Sequence, residues 1–462
     1  MIGGRAQPKT DFSQGPVWRR ILDQAGPLIV AQLVHLLYNV VDRIYIGHMG
    51  DGSGLALTGV GLTFPIITLI MAFAALFGTG GVPLFSMARG AGDEAKAGRI
   101  LGNSCTLQLI SSAVLMAVGY LFMRPILFAF GASEDSFIYA RAYLNVYLVG
   151  TVFSMLATGL NGYINAQGFP QIGMLSIVIG AAVNIALDPV FIFALRMGVT
   201  GAALATVISQ ALSALWVLRF LTGRQAIIPL RRENMALRGP VVRDIARLGT
   251  ANFIMQGTTC LVQIACNATL QQFGGDVYVG VMTVVNSVRE IFLLPINGVN
   301  SGGQPVISYN YGARRYDRVL SGIRFNTLIG TGYTLVAWLL VLLLPRLWFG
   351  IFSDDPAMTE AGVEALRIYF FGFMCMALQF AGQSTFTALG DARHAIIFSL
   401  LRKVVIVLPL TLLLPRLGFG VRGVFLAEPV SNVVGSTACY LTMRLTQFRR
   451  IRRLSEQMQE RN

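Results

Sequence analysis

Residues 80–90 read GGVPLFSMARG, and residues 302–312 read GGQPVISYNYG. Gly80, Gly81, Pro83, Ser86 and Gly90 of the first stretch fall, 222 residues on, upon Gly302, Gly303, Pro305, Ser308 and Gly312 of the second. The same offset carries Phe130 onto Phe352, each ahead of an acidic turn, and Ala166 and Gly168 onto Ala388 and Gly390. It also carries Gly198, Val199, Gly201, Leu204 and Ala205 onto Gly420, Val421, Gly423, Leu426 and Ala427, small-residue patterns that let helices approach closely. An offset that does not drift over such a length marks an internal repeat, which decides the architecture before any local reading does.

The repeated material is membrane-spanning. Of the 462 residues 54% are apolar and 13% charged, with a mean hydropathy of +0.63, whereas a soluble domain is about one quarter charged. A spanning helix needs about 20 mostly apolar residues. Windows of this kind lie near 26–46, 58–82, 100–123, 138–160, 170–195, 200–219, 247–270, 279–301, 325–345, 364–386, 395–414 and 421–443. The expected fold is therefore an all-α membrane protein of twelve transmembrane helices in two pseudo-symmetric six-helix lobes. The N-terminal lobe is expected over 1–222, a cytoplasmic linker over 223–247, and the C-terminal lobe with a basic tail over 248–462. Six is even, so both copies enter the membrane from the same side. Parallel repeats of this kind build secondary transporters that rock one bundle against the other. Residues 1–25 carry Arg5, Lys9, Asp11, Arg19, Arg20 and Asp23 without a compact apolar run, so no cleavable leader is expected.

The formal charge of +14 is explained by topology rather than by nucleic acid. Of 36 lysines and arginines, 27 fall on the N-terminus, the loops after even-numbered spans and the C-terminal tail. The opposite loops hold five, Arg124, Arg196, Arg346, Arg416 and Arg422. That bias predicts cytoplasmic termini, and the basic tail from Arg444 to Arg453 is expected to face anionic lipid heads. The five cysteines, Cys105, Cys260, Cys266, Cys375 and Cys439, all fall within spans without metal-type spacing and read as small core residues.

Ionisable groups inside spans are costly, by about 2.5–3.5 kcal/mol on insertion scales, and are functional candidates by default. Asp42 lies sixteen residues into the first window, about 24 Å at 1.5 Å per residue. Asp188, about 27 Å into the fifth, reaches a similar depth, as does Thr206 near the outer end of the sixth. Asn184 precedes Asp188 by four residues and shares its helix face. Pro189 removes a backbone donor beside the carboxylate. Asp42, Asn184, Asp188 and Thr206 thus form an all-oxygen set suited to Na+, or to a proton shared between acids. Simple helix-to-helix bonding by the two aspartates is the alternative, and Arg43 is a poor partner because sequence neighbours on a helix diverge. Glu290, about 15 Å into the eighth window, and Glu428, the 222-offset counterpart of Thr206, are candidates for substrate contact or a secondary proton site.

Asp42 with Gly47, the Pro83, Ser86, Gly90 loop, Asn165 to Gly168, and Asn184 with Asp188 and Pro189 together make a pattern. It resembles the multidrug and toxin extrusion (MATE) family over about residues 15–445, and within it the DinF-like prokaryotic branch and its MepA-like subgroup. The resemblance implies export of lipophilic organic cations in exchange for Na+ or H+, no cofactor, a monomer, and a place in a prokaryotic cytoplasmic membrane. It also implies that Asp42, Asn184, Asp188 and Thr206 hold the coupling cation. The NorM-like branch uses an acid in the seventh helix, where this chain has Gln256, Gln263, Asn267 and Gln271 and no carboxylate. A flippase for lipid-linked saccharides shares the overall architecture, but its cavity would be expected to hold cations for phosphate. A membrane-embedded enzyme would need a nucleophile with its base or a metal set, and the spans show neither.

Overall fold

The computed structural model describes residues 11–47, 53–130, 132–352 and 356–460. Among these residues every regular element is helical. The first six long helices are α1 (Val17–Gly47), α2 (Ser53–Phe77, continuing through Thr79–Gly81 into Val82–Gly90), α3 (Glu94–Leu121), α4 (Glu134–Val149 and Thr151–Ala166), α5 (Pro170–Pro189) and α6 (Gly198–Thr222). The helical run Gly239–Gly312 is broken at Gly275, whose φ of 68° and ψ of −166° only glycine adopts readily. It is therefore two helices, α7 (239–274) and α8 (276–312). There follow α9 (Tyr316–Leu343), α10 (Pro356–Phe370 and Met376–Ala388), α11 (Ala392–Leu400, continuing to Leu413), α12 (Gly420–Met443) and a short tail helix, α13 (Arg449–Gln459).

Ten of these segments are long and apolar enough to cross a membrane by length and composition alone. Besides the short α13, the two that fall short are α7, diluted by the amides at 256, 263, 267 and 271, and α12, which carries Arg422, Glu428 and Asn432. Large apolar side chains face outward along the others: Leu328 is 75% exposed and Leu343 73%. On a protein in water such a surface would mark a binding patch; along a spanning helix it is the lipid face.

The repeat extends to backbone geometry. Gly168 (φ 92°) and Gly390 (φ 76°) both adopt the left-handed conformation at the turn that precedes α5 and α11. Gly198 (φ 57°) and Gly420 (φ 53°) do so at the start of α6 and α12. Each pair stands at the same 222-residue offset found in the sequence, so glycine recurs there because the chain must turn in a way that other residues resist.

The chain divides into two compact units, and their bounds differ from the lobes expected from sequence. One comprises Met1–Gln14 and Gly26–Phe253, the other Gly15–Ala25 and Ile254–Asn462. The segment 223–247 is part of the first unit, not a free tether. Asn103 on α3 donates to the carbonyls of Asn234 and Ala236 at 3.1 Å each and accepts from the Arg238 amide at 2.8 Å. Thr106 donates to Met235 at 2.7 Å, and the Gln167 side chain accepts from the Ile228 amide at 2.9 Å. Polar side chains at the ends of α3 and α4 thereby satisfy a backbone that forms little helix of its own.

The base of α7 is equally fixed. Gly249 lies against the Leu76 backbone so closely that a Cβ there would overlap the Leu76 carbonyl, and Gly80 meets Gly249 in turn. Gly249→Ala should therefore destabilise the protein by about 1–3 kcal/mol through overpacking. Gly257→Ala, two turns on with nothing within 4 Å of the new Cβ, should stabilise it by about 0.5–1 kcal/mol through helix propensity. Thermal unfolding of the two variants beside the parent checks this; equal shifts would contradict it.

Candidate cation-coupling site

In the N-terminal unit α5 sets the geometry. Pro189 cannot donate to the carbonyl four residues back, that of Ile185, and directly after it Val190–Ala194 winds as a wider π-helical turn. Interruptions of this kind loosen the backbone ladder and recur at functional sites. The residue before the proline is Asp188, which is fully buried, and Asn184 one turn earlier is 1% exposed. Asn184 Nδ2 stands 3.4 Å from Asp188 Oδ1, as expected for residues four apart on one face.

The carboxyl of Asp188 lies beside that of Asp42 on α1, close enough for the two to interact. Asp42, distant in sequence, is thus brought together with Asn184 and Asp188. Two carboxylates in contact and away from bulk water repel unless a proton or a cation lies between them. Asn184 Oδ1 and Asp188 Oδ2 are buried acceptors to which no amide or hydroxyl of the protein is bonded, and a cation would satisfy both. The donor set of two carboxylates and an amide oxygen is hard and all-oxygen, the kind of oxygen set that suits Na+.

Thr206 is 8% exposed on α6. Its hydroxyl donates to the Ala202 carbonyl at 3.0 Å, and its side chain also meets the Tyr143 hydroxyl. Tyr143 on α4 is 4% exposed, lies beside Asp42 and stacks on Tyr147 with ring centroids 5.9 Å apart. Gln210 and Ser154 lie beside the Tyr147 hydroxyl. Sequence reasoning omitted Tyr143. Its signal was a tyrosine hydroxyl inside an otherwise apolar window, and depth alone could not separate it from the many packing aromatics. The side chain of Arg43 and the residue His48 lie outside the described residues.

The second pair of candidates sits in the other unit. Glu290 on α8 is half exposed and takes Arg289 Nη2 at 3.2 Å. Glu428 on α12 is 4% exposed and is held by cations: Arg402 Nη2 at 2.7 Å, Lys403 Nζ at 3.1 Å and Arg289 Nη1 at 3.9 Å. Arg402 also donates to Asn432 Oδ1 at 2.7 Å. Arg402 and Lys403, counted above with the inside loops, are both 8% exposed in the π-helical segment Leu401–Val407 of α11. The signal was available, because both fall within the eleventh window. A carboxylate so surrounded is poorly placed to meet a positively charged cargo.

Two six-helix repeats of parallel orientation, with acidic residues gathered inside the first, define a secondary-transporter type of membrane protein. The family model described as MatE matches residues 27–190 and again 252–413, once in each half. The chain belongs to the MatE family. It is 25% identical over 426 residues to the multidrug export protein MepA of Staphylococcus haemolyticus, with 92% of each chain covered. Among solved structures, an outward-facing multidrug resistance MATE family transporter of the MOP superfamily superposes with a TM-score of 0.90, at 23% identity and covering 98% of this chain and all of the other. A MOP superfamily transporter from Pyrococcus furiosus, described as having a binding pocket of reversed polarity, superposes at 0.88 with 23% identity, covering 98% and 99%. These likenesses confirm the twelve-helix, two-lobe fold expected from the sequence.

Proposed function

We propose that the protein is a secondary active exporter of organic, lipophilic cationic compounds, driven by Na+ or H+ moving inward through Asp42 and Asp188. The observation that carries this reading is the buried contact between those two carboxylates beside Asn184 and the Pro189 break. It is supported by the similarity to the multidrug export protein MepA across nearly the whole chain. Cation entry between the carboxylates relieves their repulsion and changes the helical path at Pro189. Cargo and coupling ion then affect each other's affinity reciprocally, as linkage requires. The protein works as a monomer in a prokaryotic cytoplasmic membrane with both termini inside, in keeping with the loop charges. Thr206 acts through Tyr143 rather than as a direct ligand, and Glu290 is the remaining candidate for touching cargo.

The test is efflux of a fluorescent lipophilic cation from vesicles containing the purified protein, with sodium and proton gradients imposed separately. Gradient-driven efflux is expected, and the effective gradient names the ion. A wild-type protein that moves no cation under either gradient overturns the reading. It would turn attention to the flippase alternative, which the buried cations around Glu428 favour because a lipid-linked phosphate needs such partners.

A further inference from the structure

Among its described residues the C-terminal unit buries more positive than negative charge. Arg402 and Lys403 are each 8% exposed and the Arg289 side chain 13%, and all three converge on Glu428. Glu290, which takes Arg289 Nη2 at 3.2 Å, is 53% exposed at its side chain and so largely solvated. The Nε groups of both Arg289 and Arg402 are buried donors without an acceptor. A charge taken from water needs both a counter-charge and filled hydrogen bonds, and one carboxylate cannot supply these to three cations.

The fold does not demand this cluster. The 222-offset counterparts of Arg289, Arg402, Lys403 and Glu428 are Ile67, Gly180, Ala181 and Thr206, so the same helices pack in the N-terminal unit with none of the four charges. Beside the cluster is a small cavity of about 20 Å³, lined by Arg289, Lys403, Glu428 and Tyr369 and by the amides Gln263 and Asn286. Asn286 Nδ2 donates to Gln263 Oε1 at 3.1 Å. Tyr369 accepts from Arg289 Nη1 at 3.4 Å. Room on this scale admits one water-sized guest.

We propose that this cavity binds a small monovalent inorganic anion of halide size, held by Arg289 and Lys403 and competing with Glu428 for their charge. The site is independent of the export reading and of the aspartate pair. Its probe is chloride. Purified protein in detergent, in N-methylglucamine gluconate, is shifted stepwise to N-methylglucamine chloride at constant ionic strength while thermal unfolding is followed by tryptophan fluorescence. Sodium is absent throughout, so the aspartate pair does not respond to it.

A saturable rise in unfolding temperature with chloride is expected. Lys403→Gln should remove it, and Glu428→Gln, by removing the competing carboxylate, should tighten chloride binding by about tenfold or more. The tightening is an effect that a purely structural role for Glu428 would not give. Should Glu428→Gln fail to fold in gluconate, recovery of folded protein in chloride gives the same readout. Insensitivity of both wild type and Glu428→Gln to chloride overturns the proposal. So does an unsaturable response of equal size in Lys403→Gln, which would be a general salt effect.

Discussion

Asp188→Asn should lower gradient-driven efflux of a lipophilic cation by about a hundredfold, the upper range of ordinary coupling between two ligands, while the protein folds normally. The substitution is nearly isosteric. An amide can still meet Asn184 and Asp42, so packing around α5 is kept, but one of the two charges that would draw a cation is gone. Asp42→Asn should do the same from the other side of the contact, and the double substitution should add little, because residues that act as a unit are not additive. Flux in vesicles, normalised to folded protein, is the measurement. Normal pumping by either single variant under both gradients would remove the aspartate pair from the mechanism.

Glu428→Gln is expected to act on stability rather than on coupling. With the carboxylate neutralised, Arg289, Arg402 and Lys403 keep their burial and lose the one partner they share. Breaking a buried pair from one side costs about 3–5 kcal/mol. The double variant Glu428→Gln with Lys403→Met should recover part of this loss, because it removes one of the stranded cations and supplies an apolar chain of similar length. Unfolding midpoints of the parent, the single and the double variant in a chloride-free medium decide the matter. A double variant less stable than the single would mean that Lys403 contributes chiefly by packing.

The two predictions rest on residues that were not equally legible. Gly168 with Gly390 and Gly198 with Gly420 announced the repeat, because a left-handed turn leaves a mark, glycine, at a fixed position. Asp42, Asn184 and Asp188 could be gathered from depth and helix phase, since carboxylates are rare in spans and a four-residue spacing fixes a face. Thr206 passed the same test of depth, yet its hydroxyl donates to Ala202 and lies beside Tyr143, because depth fixes one coordinate of three. Arg402 and Lys403 were misread for a related reason. Charge counting by loop assumes that a basic residue near a span's inner end reaches water, and what keeps these two inside is Glu428, about 25 residues away on another helix. Likewise the amides of α7 looked like a departure from a known cation site, whereas Gln263 of α7, with Asn286 of α8, lines a cavity that Arg289, Lys403 and Glu428 also border.

The exchange of helix bases also bears on how the chain is assembled. Residues 15–25 belong with the unit that begins at Ile254, and everything up to Phe253 belongs with the unit that begins at Gly26. During synthesis the first unit stays incomplete until the base of α7 has left the ribosome, well after its sixth helix. The second unit is completed by a segment made before any other helix was inserted. A gene cut after residue 222 would therefore give one fragment missing its last buttress and another missing its first. Split at 253 instead, the early fragment would be whole and the late one would still depend on eleven residues translated at the very start.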